Sequence, residues 1–432
     1  MILRAFMFVY STLFQLSTPF VLAYLAKRGR QDKEYIRHLA ERFGFVAPFK
    51  GGAVWVHAVS LGEVRSALPL IRELLGRGER VLVTLFTPTG RREAERVLKE
   101  DISAGRVRVC WVPLETSGAF HRFFRRTRPR IGLVLEIEIW PQMVMAAERA
   151  GVPLFMCNAQ YPIRSMARDG RGLRLRQRVM QHFAGAFVKS ELQAERFRAV
   201  GVPQVQVTGE LRFDQPVPQH LVVAGHRLRK LAAGREVIVI ASAVEGEDGL
   251  YIDTILRLLG GPAPPVVVYV PRAPERFDTV AAMLVSAGLA VQRRSELLDD
   301  GLAIKGFAGV IDVLLGDSLG EMYAWLEMAD RVVVGGGFLP SGAHNIIEPL
   351  ALRRTVIVGP NTGTIEYPAE EAISAGVCLR VTREGLADAL LPGAFAPSSE
   401  RIEAFFAAHS GAAQRTADAV ARISPCPSEL GP

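Results

Sequence analysis

The chain has 432 residues, of which 49% are hydrophobic and 22% charged, and its formal net charge is +8. This composition excludes a disordered chain, because it supplies enough apolar surface to bury substantial cores, and the length predicts two or three domains. The positive excess lies in arginine-rich patches at residues 91–92, 125–130 and 164–178. Such patches either suit an anionic partner (a phospholipid surface, a phosphorylated substrate or nucleic acid) or form an ordinary solvated surface.

The cysteines are widely spaced and form no CxxC motif, which argues against a disulfide framework or a zinc site and favours a reducing compartment. They are Cys110, Cys157, Cys378 and Cys426. The chain also lacks the GxxxxGK[ST] and HExxH patterns, which argues against a P-loop enzyme and a zinc-protease site. No metal site is therefore predicted.

The N-terminal stretch at residues 5–26 contains no charged side chain, and Lys27, Arg28 and Arg30 follow it. Its length suffices to span a bilayer, which takes about 20 residues as a helix. No small-residue cleavage site precedes the basic cluster, so residues 1–27 are predicted to form an uncleaved membrane anchor with the remaining chain in the cytoplasm. An amphipathic helix on the membrane surface is the alternative.

Strand-like runs alternate with helical patterns from residue 53 onward. Strands are predicted at 53–59, 80–84, 107–111, 131–135, 154–158 and 185–189, and helices at 63–77, 90–100, 121–126 and 141–150. Alternation of this kind predicts right-handed βαβ crossovers and a parallel sheet.

The same alternation restarts after residues 205–210. Strands are predicted at 237–241, 266–270, 289–292, 312–314, 331–334 and 355–358, and helices at 249–259, 275–288, 322–329, 345–352, 369–375 and 399–420. We therefore predict an α/β chain of two tandem Rossmann-like domains, 28–211 and 212–432, hinged near 212–218. Two such domains face each other across a cleft, a favoured place for small-molecule sites.

Residues 331–360 read as strand, glycine-rich turn, helix and strand. The glycines at 335–337 predict a tight turn or a close approach to a ligand. His344, Asn345 and Glu348 follow at the predicted helix start, where Asn345 and Glu348 share a face. This place, at the carboxyl end of a parallel strand, favours a phosphorylated sugar ligand. A capped helix with Glu348 as a surface charge is the alternative.

Two acidic motifs follow strands in the first half of the chain. In SLGE, Glu63 begins a helix and suits either a general base or a first-turn acid that complements the helix dipole. In EIEIWP, alternation sends Glu136 and Glu138 to one side of a strand end. Two acids so placed either bind something or are simply solvated.

Three further motifs lie at turns of the predicted domains. Arg212 in GELRFD either meets negative charge developing in the cleft or forms a structural ion pair. Arg272 follows a strand, and its fork geometry suits a phosphate or carboxylate. GDSLGE at 316–321 runs into a helix whose first amides suit phosphate.

Taken together, these motifs resemble those of the 3-deoxy-D-manno-octulosonic acid (Kdo) transferases. The resemblance covers nearly the whole chain and includes ERFG, WVHAVSLGE, TPTGRREAERV, EIEIWP, VTGELRFD, VPRAPERF, GDSLGEM and GGGFLPSGAHNIIEPLAL. It implies a GT-B-type glycosyltransferase with an N-terminal anchor at the inner membrane, acting in lipopolysaccharide core biosynthesis. The implied reaction moves Kdo from CMP-Kdo to the lipid A precursor with inversion, without a metal or other cofactor.

The resemblance also implies roles for particular residues. The general base falls on Glu63, and the transition-state-stabilising positions fall on Glu136 and Arg212. The acceptor is implied in the N-terminal half and CMP-Kdo mainly in the C-terminal half. The implied CMP contacts are Pro271, Arg272, Leu319, Gly320, Glu321, Asn345, Ile346, Ile347 and Glu348.

The chain departs from the family pattern at four places. Arg212 stands where lysine is usual, and NAQYP at 158–162 stands where NARLS is usual. A usual histidine is replaced by Val244 in AVEGE and another by Ala273 in VPRAPERF. Acceptor fine structure and the number of Kdo units added are therefore left open.

Two alternatives remain beside the resemblance. One is another GT-B enzyme, such as a sugar-nucleotide epimerase or a lipid-linked glycosyltransferase, against which SLGE and EIEIWP argue. The other is a non-catalytic, membrane-tethered protein that binds a CMP-sugar or lipid A, against which the retained Glu63, Glu136 and Glu348 argue. A nucleic-acid partner is not predicted, because no basic patch with interleaved aromatic residues is present.

Overall fold

The computed structural model describes residues 1–49, 51–306 and 309–424. The chain divides into two compact units: unit 1 contains Met1–Gln215 and the chain from Ser410 onward, and unit 2 contains Pro216–His409. Each unit contains a seven-stranded sheet whose strand pairs are parallel throughout. The predicted α/β class with two Rossmann-like domains is confirmed.

The strands are β1 (Val54–His57), β2 (Val81–Leu85), β3 (Val107–Trp111), β4 (Ile131–Leu135), β5 (Leu154–Ala159), β6 (Gly185–Val188), β7 (Gln204–Val207), β8 (Val237–Ala243), β9 (Val266–Pro271), β10 (Val291–Arg293), β11 (Val313–Leu315), β12 (Arg331–Val334), β13 (Thr355–Val358) and β14 (Cys378–Arg380). Their order is β3-β2-β1-β4-β5-β6-β7 in unit 1 and β10-β11-β9-β8-β12-β13-β14 in unit 2. In each sheet the order of successive strands reverses once, between β1 and β4 in unit 1 and between β8 and β12 in unit 2. Ligands of open α/β sheets bind at such switch points.

The helices are α1 (Ile2–Gly29), α2 (Leu61–Gly76), α3 (Pro88–Val97), α4 (Lys99–Ser103), α5 (Ser117–Thr127), α6 (Pro141–Arg149), α7 (Ile163–Asp169), α8 (Leu175–Met180), α9 (Glu191–Val200), α10 (Gln219–Leu228), α11 (Asp248–Leu259), α12 (Phe277–Ser286), α13 (Arg294–Leu297), α14 (Met322–Met328), α15 (Ile347–Ala351), α16 (Glu366–Ser374), α17 (Leu386–Ala389), α18 (Ser399–His409) and α19 (Ala412–Ile423). Short 3₁₀ turns lie between them, one of which is Leu211–Asp214.

The sheets form because their central strands are short, mostly β-branched runs that are buried on both faces. The strands predicted at 107–111, 131–135, 331–334 and 355–358 are observed at those bounds. In unit 1, two separate hydrophobic clusters cover the sheet's buried residues. The described cysteines, Cys110, Cys157 and Cys378, are buried and free, and Cys426 lies outside the described residues.

The structure corrects two predictions. The single helix predicted at 399–420 is two helices, α18 and α19, and the domain boundary predicted at 212 lies after Gln215. The helical conformation is interrupted at Gly411, which has φ +85°. The following helix, α19, packs in the core of unit 1 beside α2. The Asp214 carboxylate accepts hydrogen bonds from the amides of Gly411 (2.5 Å) and Ala413 (2.6 Å). The Arg415 guanidinium donates to the Thr208 carbonyl at 2.9 Å. Arg212 and α19 therefore belong to unit 1.

Helix α1 is the helix among the described residues that is long and apolar enough to cross a membrane. One face lies against the rest of unit 1: Leu3 and Phe6 pack on its core, and the Tyr10 hydroxyl donates to Glu115 at 3.1 Å. The other face is apolar and exposed, and its large residues are Phe8, Val9, Leu13, Leu16, Phe20 and Tyr24. We call these six residues the outer stripe of α1.

Candidate active site

Glu63 lies in the first turn of α2, directly after the turn that follows β1. Ser60 caps the helix by accepting from the Glu63 amide at 3.4 Å, and the Glu63 carboxylate accepts from the Val59 amide at 2.6 Å and from the Ser60 hydroxyl at 3.3 Å. These bonds form a variant of the capping box, in which the Glu63 carboxylate binds the amide of Val59 rather than that of Ser60, and they fix the carboxylate at the carboxyl end of β1. Glu63 is therefore a first-turn acid that caps the helix, and the same hydrogen bonds hold its carboxylate in a fixed position, as a general base requires.

The protonation of Glu63 is perturbed by its surroundings. Burial raises the pKa of its carboxyl to about 7, and the negative charges of Glu138 and Glu136 add to that effect against the Val59 hydrogen bond. A carboxyl with a pKa near neutral pH can accept a proton and still be ionised in a useful fraction of molecules. Glu63 therefore has the protonation behaviour of a general base.

Glu136 does not continue β4, as the predicted alternation required. It lies in the left-handed region at φ +57°, directly after the last residue of the strand, a conformation that is costly for a residue other than glycine. Its carboxylate accepts from the Asn158 amide at 2.9 Å, whereas Glu138 accepts from the Trp140 indole at 2.8 Å. The two acids therefore separate, although both remain close enough to influence the Glu63 pKa.

A buried cation completes this arrangement. The Lys189 ammonium lies 3.1 Å from Glu136 and 2.8 Å from Glu210, and its side chain is only 5% exposed. Burial lowers the pKa of Lys189, but the charges of Glu136 and Glu210 outweigh burial and hold it above its ordinary value. For Glu210, burial alone would raise the pKa of the carboxyl. The Lys189 and Arg212 cations outweigh burial and hold that pKa below its usual range.

Asn158 links the two acids through its side-chain amide nitrogen. Its nitrogen donates to Glu136 and to Glu210, each at 2.9 Å, and its oxygen accepts from the Leu211 amide at 2.9 Å. Asn158 also adopts a left-handed conformation, at φ +54°, at the end of β5. Strained backbone at two neighbouring strand ends is typical of functional sites.

Arg212 lies beside the same cluster. Its Nε donates to the Ser66 hydroxyl on α2 at 3.0 Å, one turn beyond Glu63, and its guanidinium lies 4.0 Å from Glu136 and from Glu210. The structure thus brings Glu63, Glu136 and Arg212 together at the switch point of unit 1. The sequence motifs did not predict Lys189 and Glu210 as site residues. Lys189 could have been noticed, because a charged residue directly after a buried strand is unusual.

In unit 2, the glycine-rich turn after β12 is required by packing. A Cβ atom on Gly335 would lie 2.5 Å from the Ser242 carbonyl oxygen, and one on Gly337 would lie 2.7 Å from the Gly359 nitrogen. The buried Glu247 carboxylate accepts from the amides of Gly336 (2.7 Å) and Phe338 (2.9 Å). Close packing of backbone in this turn therefore requires glycine at Gly335 and Gly337.

The predicted helix at 345–352 is shorter and begins later. Asn345 precedes α15, and its side-chain oxygen accepts from the Ile347 amide at 2.9 Å, so Asn345 and Glu348 do not share a helix face. Glu348 lies near Tyr323 on α14, where burial and the Glu348 charge raise the pKa of the tyrosine. The competing turn formed by the asparagine explains the late start of the helix.

The remaining predicted donor residues lie at other strand ends of unit 2. Arg272 is exposed directly after β9, and burial together with the Arg272 charge lowers the pKa of His344 to about 4. Glu321 is engaged by the Arg294 guanidinium at 2.5 and 2.9 Å. Gly320 has φ +85°, and Leu319 is exposed. Within the described residues, no group of three or more His, Cys, Asp or Glu is placed to hold a metal ion.

Comparison with known proteins decides the family. The family described as 3-deoxy-D-manno-octulosonic-acid transferase (kdotransferase) matches residues 37–215. A 3-deoxy-D-manno-octulosonic acid transferase of Bordetella pertussis is 41% identical over 380 residues, which cover 85% of this chain and 86% of the relative. The chain belongs to the Kdo transferase family. It is accordingly a glycosyltransferase, as its motifs predicted.

Solved structures of more distant proteins show the fold of this Kdo transferase. A glycosyltransferase from Rickettsia africae superposes with a TM-score of 0.58 at 12% identity, covering 87% of this chain and 99% of that one. A UDP-N-acetylglucosamine 2-epimerase superposes with a TM-score of 0.57 at 14% identity, covering 87% and 97%. The predicted GT-B-like fold is confirmed.

Proposed function

We propose that this Kdo transferase moves Kdo from CMP-Kdo to a hydroxyl group of the lipid A precursor lipid IVA. The observation that carries the proposal is the Glu63 carboxyl, whose pKa of about 7 suits proton transfer, at the switch point of a chain in this family. The reaction inverts the anomeric centre and needs no metal. Unit 1 binds the acceptor, and unit 2 binds the donor.

In the proposed reaction, Glu63 accepts the proton of the attacking hydroxyl. The hydroxyl oxygen forms a bond to the anomeric carbon of Kdo while the bond from that carbon to the phosphate oxygen of CMP breaks, and CMP leaves with the bonding electron pair. A direct displacement of this kind inverts the anomeric centre. The hydrogen bond from Val59 occupies one carboxylate oxygen and orients the other.

Glu136 and Arg212 act on the charges that develop during transfer. Positive charge grows on the anomeric carbon as the leaving bond lengthens, and the Glu136 carboxylate suits it. Negative charge grows on the departing phosphate, and the Arg212 guanidinium suits that charge. Lys189, Glu210 and Asn158 hold both side chains in place through the contacts described above.

Donor binding is assigned to the strand ends of unit 2. Arg272 supplies an exposed guanidinium that forms no ion pair with another described residue and therefore suits the CMP phosphate. The other proposed contacts are Pro271, Leu319, Gly320, Glu321, Asn345, Ile346, Ile347 and Glu348. Because the Glu321 carboxylate is bound by Arg294, we assign its backbone and that of its neighbours, rather than the carboxylate, to the donor.

We place the protein on the cytoplasmic side of the inner membrane. The outer stripe of α1 supplies apolar side chains for lipid, and Lys27, Arg28 and Arg30 supply charges that attract anionic headgroups. This location brings unit 1 to the lipid-embedded acceptor.

The test is turnover by the purified full-length protein in detergent with CMP-Kdo and lipid IVA. We expect CMP release that depends on lipid IVA, together with a lipid product whose mass has increased by one or more Kdo units. CMP release without a new lipid would disprove the acceptor assignment, and the absence of both from folded protein would disprove the reaction. A run with excess EDTA examines metal independence, for which unchanged turnover is expected.

A further inference from the structure

A groove of about 790 Å³ lies in unit 1 between α5 and the C-terminal end of α6. Its volume falls within the range of small-molecule pockets. No acidic residue lines it, and its basic side chains are His121, Arg122, Arg125, Arg128, Arg130 and Arg149. We call it the arginine groove.

The arginine groove is separate from the candidate active site. Arg130 lies just before β4, whereas Glu136 lies just after it. Six residues at about 3.3 Å per residue place these two positions about 20 Å apart, at opposite ends of β4. A ligand in the groove would therefore not be the reacting sugar.

The positive charge of the groove is largely uncompensated. Within the part of the chain that the structure describes, the side chains of Arg125, Arg128 and Arg149 form no ion pair or hydrogen bond, and Arg122 donates to the neutral Phe43 carbonyl at 2.8 Å. Helix C-termini give a reason for basic side chains at Arg125 and Arg149 but none for Arg128, which follows α5 in a left-handed conformation. Clustered like charges without counter-ions indicate an anionic ligand.

Arg130 supplies a second, independent indication. Its side chain is only 8% exposed, and one nitrogen donates to Glu79 at 2.5 Å. Its Nε and Nη1 atoms are buried without a hydrogen-bond partner among the described residues. Buried donors without partners are costly, so a ligand that accepts from them would be stabilised.

The floor of the groove is apolar, because Phe124, Ala146 and Val152 are buried beneath the arginines. Guanidinium groups bind phosphate oxygens through paired N–H donors, and an apolar floor accepts a hydrocarbon chain. We propose that the arginine groove binds an amphiphilic phosphate ester, with the phosphate on the arginines and the chain on the floor. This proposal does not depend on the proposed sugar transfer.

The experiment measures binding to the full-length protein in detergent-free buffer or low detergent by isothermal titration calorimetry. The probes are dihexanoyl phosphatidic acid and dihexanoyl phosphatidylcholine, both below their micelle concentrations, and inorganic phosphate. The groove variant is Arg125→Gln/Arg128→Gln/Arg149→Gln. The matched control is Arg164→Gln/Arg171→Gln/Arg227→Gln, which removes the same charge from exposed positions outside the groove.

We expect saturable one-site binding of the phosphatidic acid, at least tenfold weaker in the groove variant and unchanged in the control. Inorganic phosphate that binds as tightly would identify free phosphate as the occupant and support the phosphate site alone. In the unmodified protein, raising NaCl from about 50 mM to about 500 mM should weaken binding, because salt screens exposed charges. This measurement serves if the groove variant fails to fold. Equal binding of phosphatidylcholine, no saturable binding, or salt-insensitive binding would overturn the proposal.

Discussion

The Lys189 ammonium lies 3.1 Å from the Glu136 carboxylate and neutralises it inside unit 1. Its other partner is Glu210 at 2.8 Å, so replacing Lys189 by methionine leaves two acids facing each other in a buried place. We expect Lys189→Met to destabilise the fold by about 3–5 kcal/mol and to lower kcat at least tenfold. The measurements are chemical denaturation and CMP release under saturating substrates.

The double variant Lys189→Met/Glu210→Gln separates charge balance from packing. It removes one charge of each sign, so it should recover most of the lost stability. The Glu210 pKa is lowered by folding, so its contribution to stability is present above the unfolded pKa and is lost as pH falls. Lys189→Met should therefore lose less stability at pH 4 than at pH 8, and an equal loss at both would contradict this account.

Glu63 is expected to set the acidic limb of the pH–rate profile. Its carboxyl must be ionised to accept a proton, so kcat/KM should rise with pH through about 7 and level off above it. Glu63→Gln should lower kcat by at least about 100-fold, while binding of CMP to unit 2 is retained.

The matched control for this variant is Glu73→Gln, a change of the same kind on the same helix. Because folding raises the pKa of Glu63, the ionised form costs stability above pH 7, so Glu63→Gln should keep or raise the Tm at pH 8. Glu73→Gln should retain full turnover. A pH profile of kcat/KM that is flat between pH 5 and 9 would rule out Glu63 as the base.

Arg212 should act through its charge more than through its fork geometry. We expect Arg212→Met to lower kcat at least about 100-fold with little change in KM. Arg212→Lys should retain a cation near Glu136 and lose less than about tenfold, although it breaks the 3.0 Å hydrogen bond to Ser66. If both variants lose equal activity, the hydrogen-bonded position of the guanidinium matters more than its charge.

Local sequence patterns predicted the strands and Glu63 because their causes are local. The β-branched run at β12 and the Ser60-to-Glu63 spacing each act within a few residues. Lys189 could not be assigned to the site in this way, since its role depends on β6 lying beside β5 so that it meets Glu136. Tertiary contacts decided these features.

The same distinction explains the corrections in the C-terminal half. Glu247 binds amides that lie about ninety residues later in the chain, which no local pattern reveals. The apolar spacing across 399–420 is helical on both sides of Gly411, and tertiary contacts, such as that of Asp214 with the following turn, show that α19 belongs to unit 1. The left-handed backbone of Glu136 likewise overrode strand alternation.

Gly335 should tolerate no side chain, in contrast to another glycine of unit 2. A Cβ atom at Gly335 would approach the Ser242 carbonyl to 2.5 Å, whereas one at Gly363 meets nothing within 4 Å. We expect Gly335→Ala to destabilise unit 2 by about 1–3 kcal/mol through forced backbone shifts, and Gly363→Ala to leave the Tm nearly unchanged. Thermal unfolding followed by circular dichroism checks both, and equal Tm values would show that the turn relaxes freely.

The outer stripe of α1 should govern membrane binding without supporting the fold. Leu13, Leu16 and Phe20 are more than half exposed and lie on the face opposite the one that packs on unit 1. Burial of each in lipid contributes about 1.5–3 kcal/mol, so the triple change of these residues to serine should weaken vesicle binding well over tenfold.

Cosedimentation with phosphatidylglycerol vesicles measures this, and the change of Val223, Val285 and Leu391 to serine is the matched control. Turnover in detergent should persist in both variants, because neither touches the strand ends that hold Glu63 and Glu136. Retained vesicle binding by the stripe variant would assign membrane attachment to the basic residues instead.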